Sequence, residues 1–210
     1  MIKILIADDH AVVRRGLKQI VSETRDMKVT GEAGNGAEVI EKTSKNDYDA
    51  VVLDITMPGV NGLDILKQLK QGRPRLPVLV LSVHSEEQYA VRALRAGAAG
   101  YLTKESAPDE LIAALRAIAR GKKYVTPSLA DKLVASVGME VDKPLHERLS
   151  DREFQVLCLI ASGKRSQEIA EELFLSPKTI STFRSRILQK TGLKNNAELT
   201  YYSVKHGLVD

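Results

Sequence analysis

Several polar residues stand where apolar runs end. Asp8 and Asp9 follow Ile2–Ala7, Asp54 follows Ala50–Leu53, Ser82 follows Val78–Leu81, and Lys104 follows Ala99–Thr103. Three carboxylates gathered in one place repel one another unless a cation joins them. Hard oxygen ligands that leave coordination positions open suit Mg²⁺, which keeps waters and shares phosphate oxygens. An aspartate beside such an ion can attack a phosphoryl group and form an aspartyl-phosphate. Lys104 adds a positive point charge and Ser82 a hydroxyl, both suited to oxygens of the transferring group. Singly these residues are ordinary, since Asp-Asp after a strand is most often a helix N-cap. Their joint placement after four separate apolar runs is what favours phosphoryl chemistry.

That placement requires particular elements. Short β-branched runs at Ile2–Ala7, Lys28–Ala33, Ala50–Ile55, Val78–Val83 and Ala99–Thr103 alternate with helically spaced apolar residues such as Val13, Leu17, Ile20 and Val21, or Leu63, Leu66 and Leu69. Strands alternating with helices predict an α/β fold, a doubly wound five-stranded parallel sheet with helices on both faces. Near-continuous apolar strands fit a sheet buried on both sides. In such a sheet ligands sit beyond the carboxyl ends of the strands, where these polar residues fall.

Residues 121–144 read as a linker with a short helix beginning near Pro127, and residues 145–210 read as an all-α four-helix unit. Ser150-Asp151-Arg152-Glu153 is a capping box opening the first of these helices. Ser176-Pro177 supplies an N-cap and a proline at the first helical position of the third, and Gly192 stops it. Two helices joined by a tight turn, the second basic, outline a helix-turn-helix. The expected domains are therefore 1–120, a linker 121–144, and 145–210.

Composition narrows the class. The chain has 210 residues, 43% hydrophobic and 28% charged, which supports two ordinary cores. No apolar run approaches the roughly 20 residues of a membrane span, and Asp8, Asp9 and His10 interrupt the first run, so no signal peptide is predicted. The single cysteine, Cys158, excludes an internal disulfide framework. A soluble protein of the cytoplasm, without membrane association, is expected. Net charge is +4, yet the distribution is uneven: between Leu173 and Ala197 lie Lys178, Arg184, Arg186, Lys190 and Lys194 and no acidic residue. Such a stripe suits a polyanion.

On the third C-terminal helix, Ile180, Phe183, Ile187 and Leu188 recur at helical spacing and are expected to face the core. The opposite face carries Lys178, Ser181, Thr182, Ser185, Arg186 and Gln189, which suit base edges and phosphates in the major groove. Arg184 is expected to reach a phosphate from the edge of the apolar stripe, and Lys190 extends the basic set.

The set Asp8-Asp9, Asp54-Ile55-Thr56-Met57-Pro58 with Gly62, Ser82 and Tyr101-Leu102-Thr103-Lys104 resembles a response-regulator receiver domain of two-component systems. The resemblance implies Asp54 as phosphoacceptor, a Mg²⁺ site built from Asp8, Asp9, Asp54 and the Thr56 main-chain carbonyl with Asp8 orienting a metal-bound water, Ser82 and Tyr101 as a switch pair, and Lys104 on the phosphate. Glu105 stands after the lysine where many receivers have proline. Leu149–Gly163, Glu168-Ile169-Ala170, Leu173, Ser176, Thr179-Ile180, Lys190 and Gly192-Leu193 resemble the LuxR-type helix-turn-helix, and the whole chain is similar to the NarL/FixJ subfamily. Ser181-Thr182-Phe183 departs from the Lys-x-His pattern common there. The implied partners are a sensor histidine kinase, double-stranded promoter DNA, RNA polymerase and a second copy of the chain, paired through the fourth C-terminal helix.

The residues speak against two rival classes. A phosphohydrolase using the same aspartyl-phosphate would want an acid two residues after the nucleophile, where Thr56 stands. A constitutive DNA-binding protein with a receiver serving only as a dimerisation scaffold would not require the full set of Asp8, Asp9, Asp54, Ser82 and Lys104.

Overall fold

A computed structural model of the chain describes residues 1–57, 61–83, 86–126, 129–130 and 144–209. Pro58, His84 and the short helix expected near Pro127 lie outside the described residues. The chain divides into two compact units, Met1–Ala130 and Asp131–Asp210.

In the first unit the strands are β1 (Ile2–Ala7), β2 (Met27–Ala33), β3 (Ala50–Asp54), β4 (Val78–Ser82) and β5 (Gly100–Thr103). They form one parallel sheet in the order β2-β1-β3-β4-β5. The helices are α1 (Ala11–Ser22), α2 (Gly36–Lys45), α3 (Gly62–Gly72), α4 (Glu86–Arg95) and α5 (Ala107–Ala119). Every residue of β3 and β4 is buried, as near-continuous apolar strands covered on both faces require. One core cluster joins Ile4, Ile6, Val52, Leu79 and Leu81 of the sheet to Leu17 and Val21 of α1 and to Leu111, Leu115 and Ile118 of α5. The apolar spacing read from the sequence therefore faces the sheet. The strand order reverses direction at β1, flanked by β2 and β3, and this switch point opens a crevice at the carboxyl ends of the strands.

The start of α3 packs closely on Ile55, just after β3. A Cβ at Gly62 would lie 2.2 Å from the Cα of Ile55, so only glycine lets α3 begin against the segment that follows Asp54. Asn61 caps that helix, its side chain accepting the Leu63 N–H. The described peptide bonds are all trans, that between Lys104 and Glu105 included.

The second unit holds a 3₁₀ turn (Leu145–Arg148) and then α6 (Asp151–Ala161), α7 (Ser166–Glu172), α8 (Pro177–Thr191) and α9 (Asn196–Lys205). Both halves of the capping box are present: Ser150 accepts from the Glu153 N–H, and the Glu153 carboxylate accepts the Ser150 N–H. Ser176 accepts the Thr179 N–H at 3.1 Å with Pro177 at the first helical position. Gly192 closes α8 in the left-handed region at φ 74°, where a Cβ is costly. Ile169, Ile180, Ile187 and Leu199 are fully buried, as are Phe154 and Leu157. Phe174, between α7 and α8, is 68% exposed and has φ of 55°, the single described non-glycine residue at positive φ. No helix of the described residues is long and apolar enough to cross a membrane.

Gly62→Ala should destabilise the first unit by roughly 1–3 kcal/mol, because the clash is with backbone and α3 must shift. A urea melt followed by circular dichroism checks this.

Candidate functional site

The parallel register brings the strand ends together. Ala7 pairs with Leu53, so Asp8 and Asp54 leave the sheet side by side; Asp54 pairs with Leu81 and Ser82 with Thr103, which places Ser82 and Lys104 next along the same edge. Asp8 and Asp54 are each 1% exposed, and ligand atoms of Asp8, Asp9, His10 and Asp54 all lie within 4.8 Å of one another. The Lys104 ammonium donates to Asp54 Oδ2 at 2.6 Å and forms an ion pair with Asp8 Oδ2, also at 2.6 Å. Asp54 Oδ1 accepts the Thr56 N–H at 2.7 Å, which fixes the loop that carries the Thr56 carbonyl.

The electrostatics follow from burial. Burial pushes the Asp54 carboxyl above the ordinary carboxylate range, and Lys104 with the Thr56 N–H offsets only part of that rise. Burial acts to lower Lys104, but the adjoining Asp54 and Asp8 outweigh it and raise the ammonium above its usual value. With all three aspartates ionised, one ammonium leaves an excess negative charge of about two in a space a few ångströms across, a set of oxygens that could hold a divalent ion. His10 borders the cluster, its Nδ1 2.8 Å from Asp9 Oδ1, while the ring is largely exposed.

Ser82 and Tyr101 are both fully buried. The tyrosine thus occupies an interior position. One neighbour of the acidic cluster escaped the sequence reading. Arg14 of α1 donates from Nη1 to the Asp8 main-chain carbonyl at 2.7 Å. The available signal was positional: Arg14 lies one helical turn into the helix that Asp8 and Asp9 introduce.

On α8, Ile180 and Ile187 are buried and Phe183 and Leu188 half-buried, while Lys178, Ser181, Thr182, Ser185, Arg186 and Gln189 are exposed on the other face. Two cations of the expected basic set are engaged within the unit. The Lys190 ammonium donates at 2.7 Å to Oε2 of Glu153, whose side chain is buried in the capping box of α6. Arg184 Nε donates to Asn196 Oδ1 at the start of α9 at 2.6 Å. The helical wheel gives an angle and not a partner, so neither bond was legible.

Comparison with known proteins gives a consistent answer. Residues 4–116 match the response regulator receiver domain family, and residues 147–203 match the bacterial regulatory proteins of the luxR family. The response regulator UvrY of Escherichia coli K12 is 34% identical over 209 residues, covering 99% of this chain and 96% of that protein. The response regulator GacA of Pseudomonas protegens is 36% identical over 211 residues, covering 100% and 99%. Among solved structures, that of RcsB from Salmonella enterica serovar Typhimurium bound to promoter rprA in the presence of phosphomimetic BeF₃⁻ matches with TM-score 0.66 and 29% identity, over 96% of this chain and 98% of that one. This chain is a response regulator of the NarL/FixJ family.

It therefore couples a receiver to a LuxR-type DNA-binding module and works as a transcription regulator, not as an enzyme. Within the DNA-binding module of this response regulator, the Glu153–Lys190 pair ties the first helix to the third. Burial acts to raise Glu153, but Lys190 and the Ser150 N–H outweigh it, and its carboxyl sits below the usual range. A depressed folded-state value means the pair stabilises fully above the ordinary glutamate range and fails as pH falls through it. Lys190→Met should cost roughly 1.5–3 kcal/mol at neutral pH. The gap between parent and variant melting temperatures should shrink as pH is lowered from 7 to below 4, checked by thermal melts across that range.

Proposed function

We propose that this response regulator accepts a phosphoryl group on Asp54 from a sensor histidine kinase, and that the modification promotes dimerisation and promoter binding. The observation that carries the reading is the Lys104 ammonium shared between Asp54 and Asp8 within a cluster whose ligand atoms lie within 4.8 Å of one another. Mg²⁺ is the divalent ion proposed for that cluster, held by Asp9, Asp54 and the Thr56 main-chain carbonyl with Asp8 orienting a bound water. When bound, it would supply charge stabilisation to the oxygens of the transferring group. In the step itself an Asp54 carboxylate oxygen attacks phosphorus, an O–P bond forms, and the P–N bond to the kinase histidine breaks. Lys104 exchanges its contact with the carboxylate for one with a phosphoryl oxygen, and the Ser82 hydroxyl donates to another. The product carries up to two negative charges where the carboxylate carried one, and sets the phosphoryl oxygens, strong acceptors, beside Lys104 and Ser82, with Tyr101 responding at the neighbouring strand.

The proposed partition is a receiver at 1–120, a linker at 121–144 and a LuxR-type module at 145–210. The surface proposed for DNA is the exposed face of α8 carrying Lys178, Ser181, Thr182, Ser185, Arg186 and Gln189, with Arg184 and Lys190 at its margin. Dimerisation through α9 is supported by Tyr201 and Val204, exposed on that helix. Pairing through a two-fold axis would match two half-sites on the duplex. RNA polymerase is a further proposed partner, and promoter binding places the regulator in the cytoplasm.

Incubation with Mg²⁺ and a small acyl-phosphate donor should add a phosphate-sized mass to the parent and none to Asp54→Ala, with a shift toward dimer by native mass measurement. A dimer already present without any adduct would sink the phosphoacceptor reading in favour of a scaffold. Arg186→Ala should weaken promoter binding across sequences and reduce the salt slope of the affinity by about 1 if it contacts phosphate, as read by fluorescence anisotropy at several salt concentrations.

A further inference from the structure

Asp8 sits where the sheet ends. Its N–H makes the last ladder bond, to the Ala33 carbonyl at 3.1 Å. Its own carbonyl lies beyond the last β1–β3 pair, Ala7 with Leu53, and precedes α1. A main-chain carbonyl beside clustered carboxylates needs a donor, because an unmatched acceptor there is costly and adds negative potential to a site already rich in it. Arg14 supplies that donor through Nη1 at 2.7 Å. The same guanidinium reaches Oε2 of Glu32 on β2 through Nε, at a longer 3.4 Å, and Glu32 in turn accepts from Lys18 at 2.9 Å. The Arg14 side chain is only 20% exposed.

The arrangement is a strut with one end on β2 and the other on the peptide between Asp8 and Asp9. We infer that Arg14 is a positioning residue for the metal-binding carboxylates: by holding the Asp8 carbonyl it sets the plane of the 8–9 peptide, and with it the directions in which the two aspartate side chains leave the chain. The inference rests on the Mg²⁺ site proposed above. It differs from a charge effect in sign. A cation near a divalent-ion site repels the ion, so neutralising Arg14 would tighten metal binding if charge alone mattered. If orientation matters, neutralising it loosens binding, as loss of groups that orient metal ligands does, by about 10-fold.

The test is Mn²⁺ uptake by the full chain, followed through loss of the free-ion paramagnetic resonance signal and reversed by Mg²⁺. Arg14→Met keeps the length of the side chain and removes every donor, and about 10-fold weaker binding is expected. Arg14→Lys keeps the charge and a donor too compact to span both Asp8 and Glu32, so it should bind more weakly than the parent and more tightly than Arg14→Met. Urea midpoints of all three separate orientation from stability, since a variant with the parental midpoint and weakened binding has lost positioning alone. Unchanged or tightened binding in Arg14→Met, with the parent binding normally, overturns the role given to Arg14 and leaves the metal site standing. A parent that takes up no Mn²⁺ overturns the metal site and this inference with it. Should Arg14→Met not fold, Arg14→Lys decides alone, and parental affinity in that variant refutes the strut.

Discussion

The repulsion among Asp8, Asp9 and Asp54 is the constraint to which the rest of the receiver answers. A parallel sheet delivers all its carboxyl ends to one edge, and the β2-β1-β3-β4-β5 order puts the β1 and β3 ends next to each other. That geometry makes a polar crevice unavoidable and forces like charges together within it. Lys104, delivered by β5, answers part of the charge, and the helix that follows β1 answers the carbonyl of Asp8. The glycine at 62 lets α3 begin against Ile55, next to the Thr56 whose N–H meets the Asp54 carboxylate.

The cost of keeping such a cluster is spread through a thoroughly apolar support. With β3 and β4 wholly buried, the strand ends cannot slide to relieve the repulsion without exposing core residues on both faces of the sheet. A rigid sheet with strained charges at its edge is a reasonable basis for a switch, because a change in that charge can be relieved only in the loops and in the helices that follow them.

Much of this was legible in the sequence. Short β-branched and near-continuous apolar runs located the strands to within a residue or so, and Ser150, Ser176 and Gly192 marked helix ends because capping chemistry is local. The acidic cluster was legible because its members each follow a run, and parallel strands align their ends. What escaped is what depends on side-chain reach. Lys190 and Arg184 carry long flexible arms whose wheel angle does not reveal that buried Glu153 or Asn196 waits within range. Arg14 escaped for the same reason, as its partner is a main-chain carbonyl, which leaves no trace in residue type. The turn at Phe174 was legible but its left-handed backbone was not, because that conformation usually announces itself with glycine or asparagine.

The exposed face of α8 has a polarity that residue names alone conceal. Ser181, Thr182 and Ser185 donate their hydroxyl protons to the carbonyls of Pro177, Lys178 and Ser181, each at 3.0 Å. With those protons turned inward, the oxygens present lone pairs to the outside. The helix thus shows a patch of acceptors at its middle, bracketed by the purely donating Lys178 and Arg186 and the ambivalent amide of Gln189. A surface that seems uniformly hydroxylic and basic is in fact sorted into giving and receiving zones, and the helix backbone itself does the sorting.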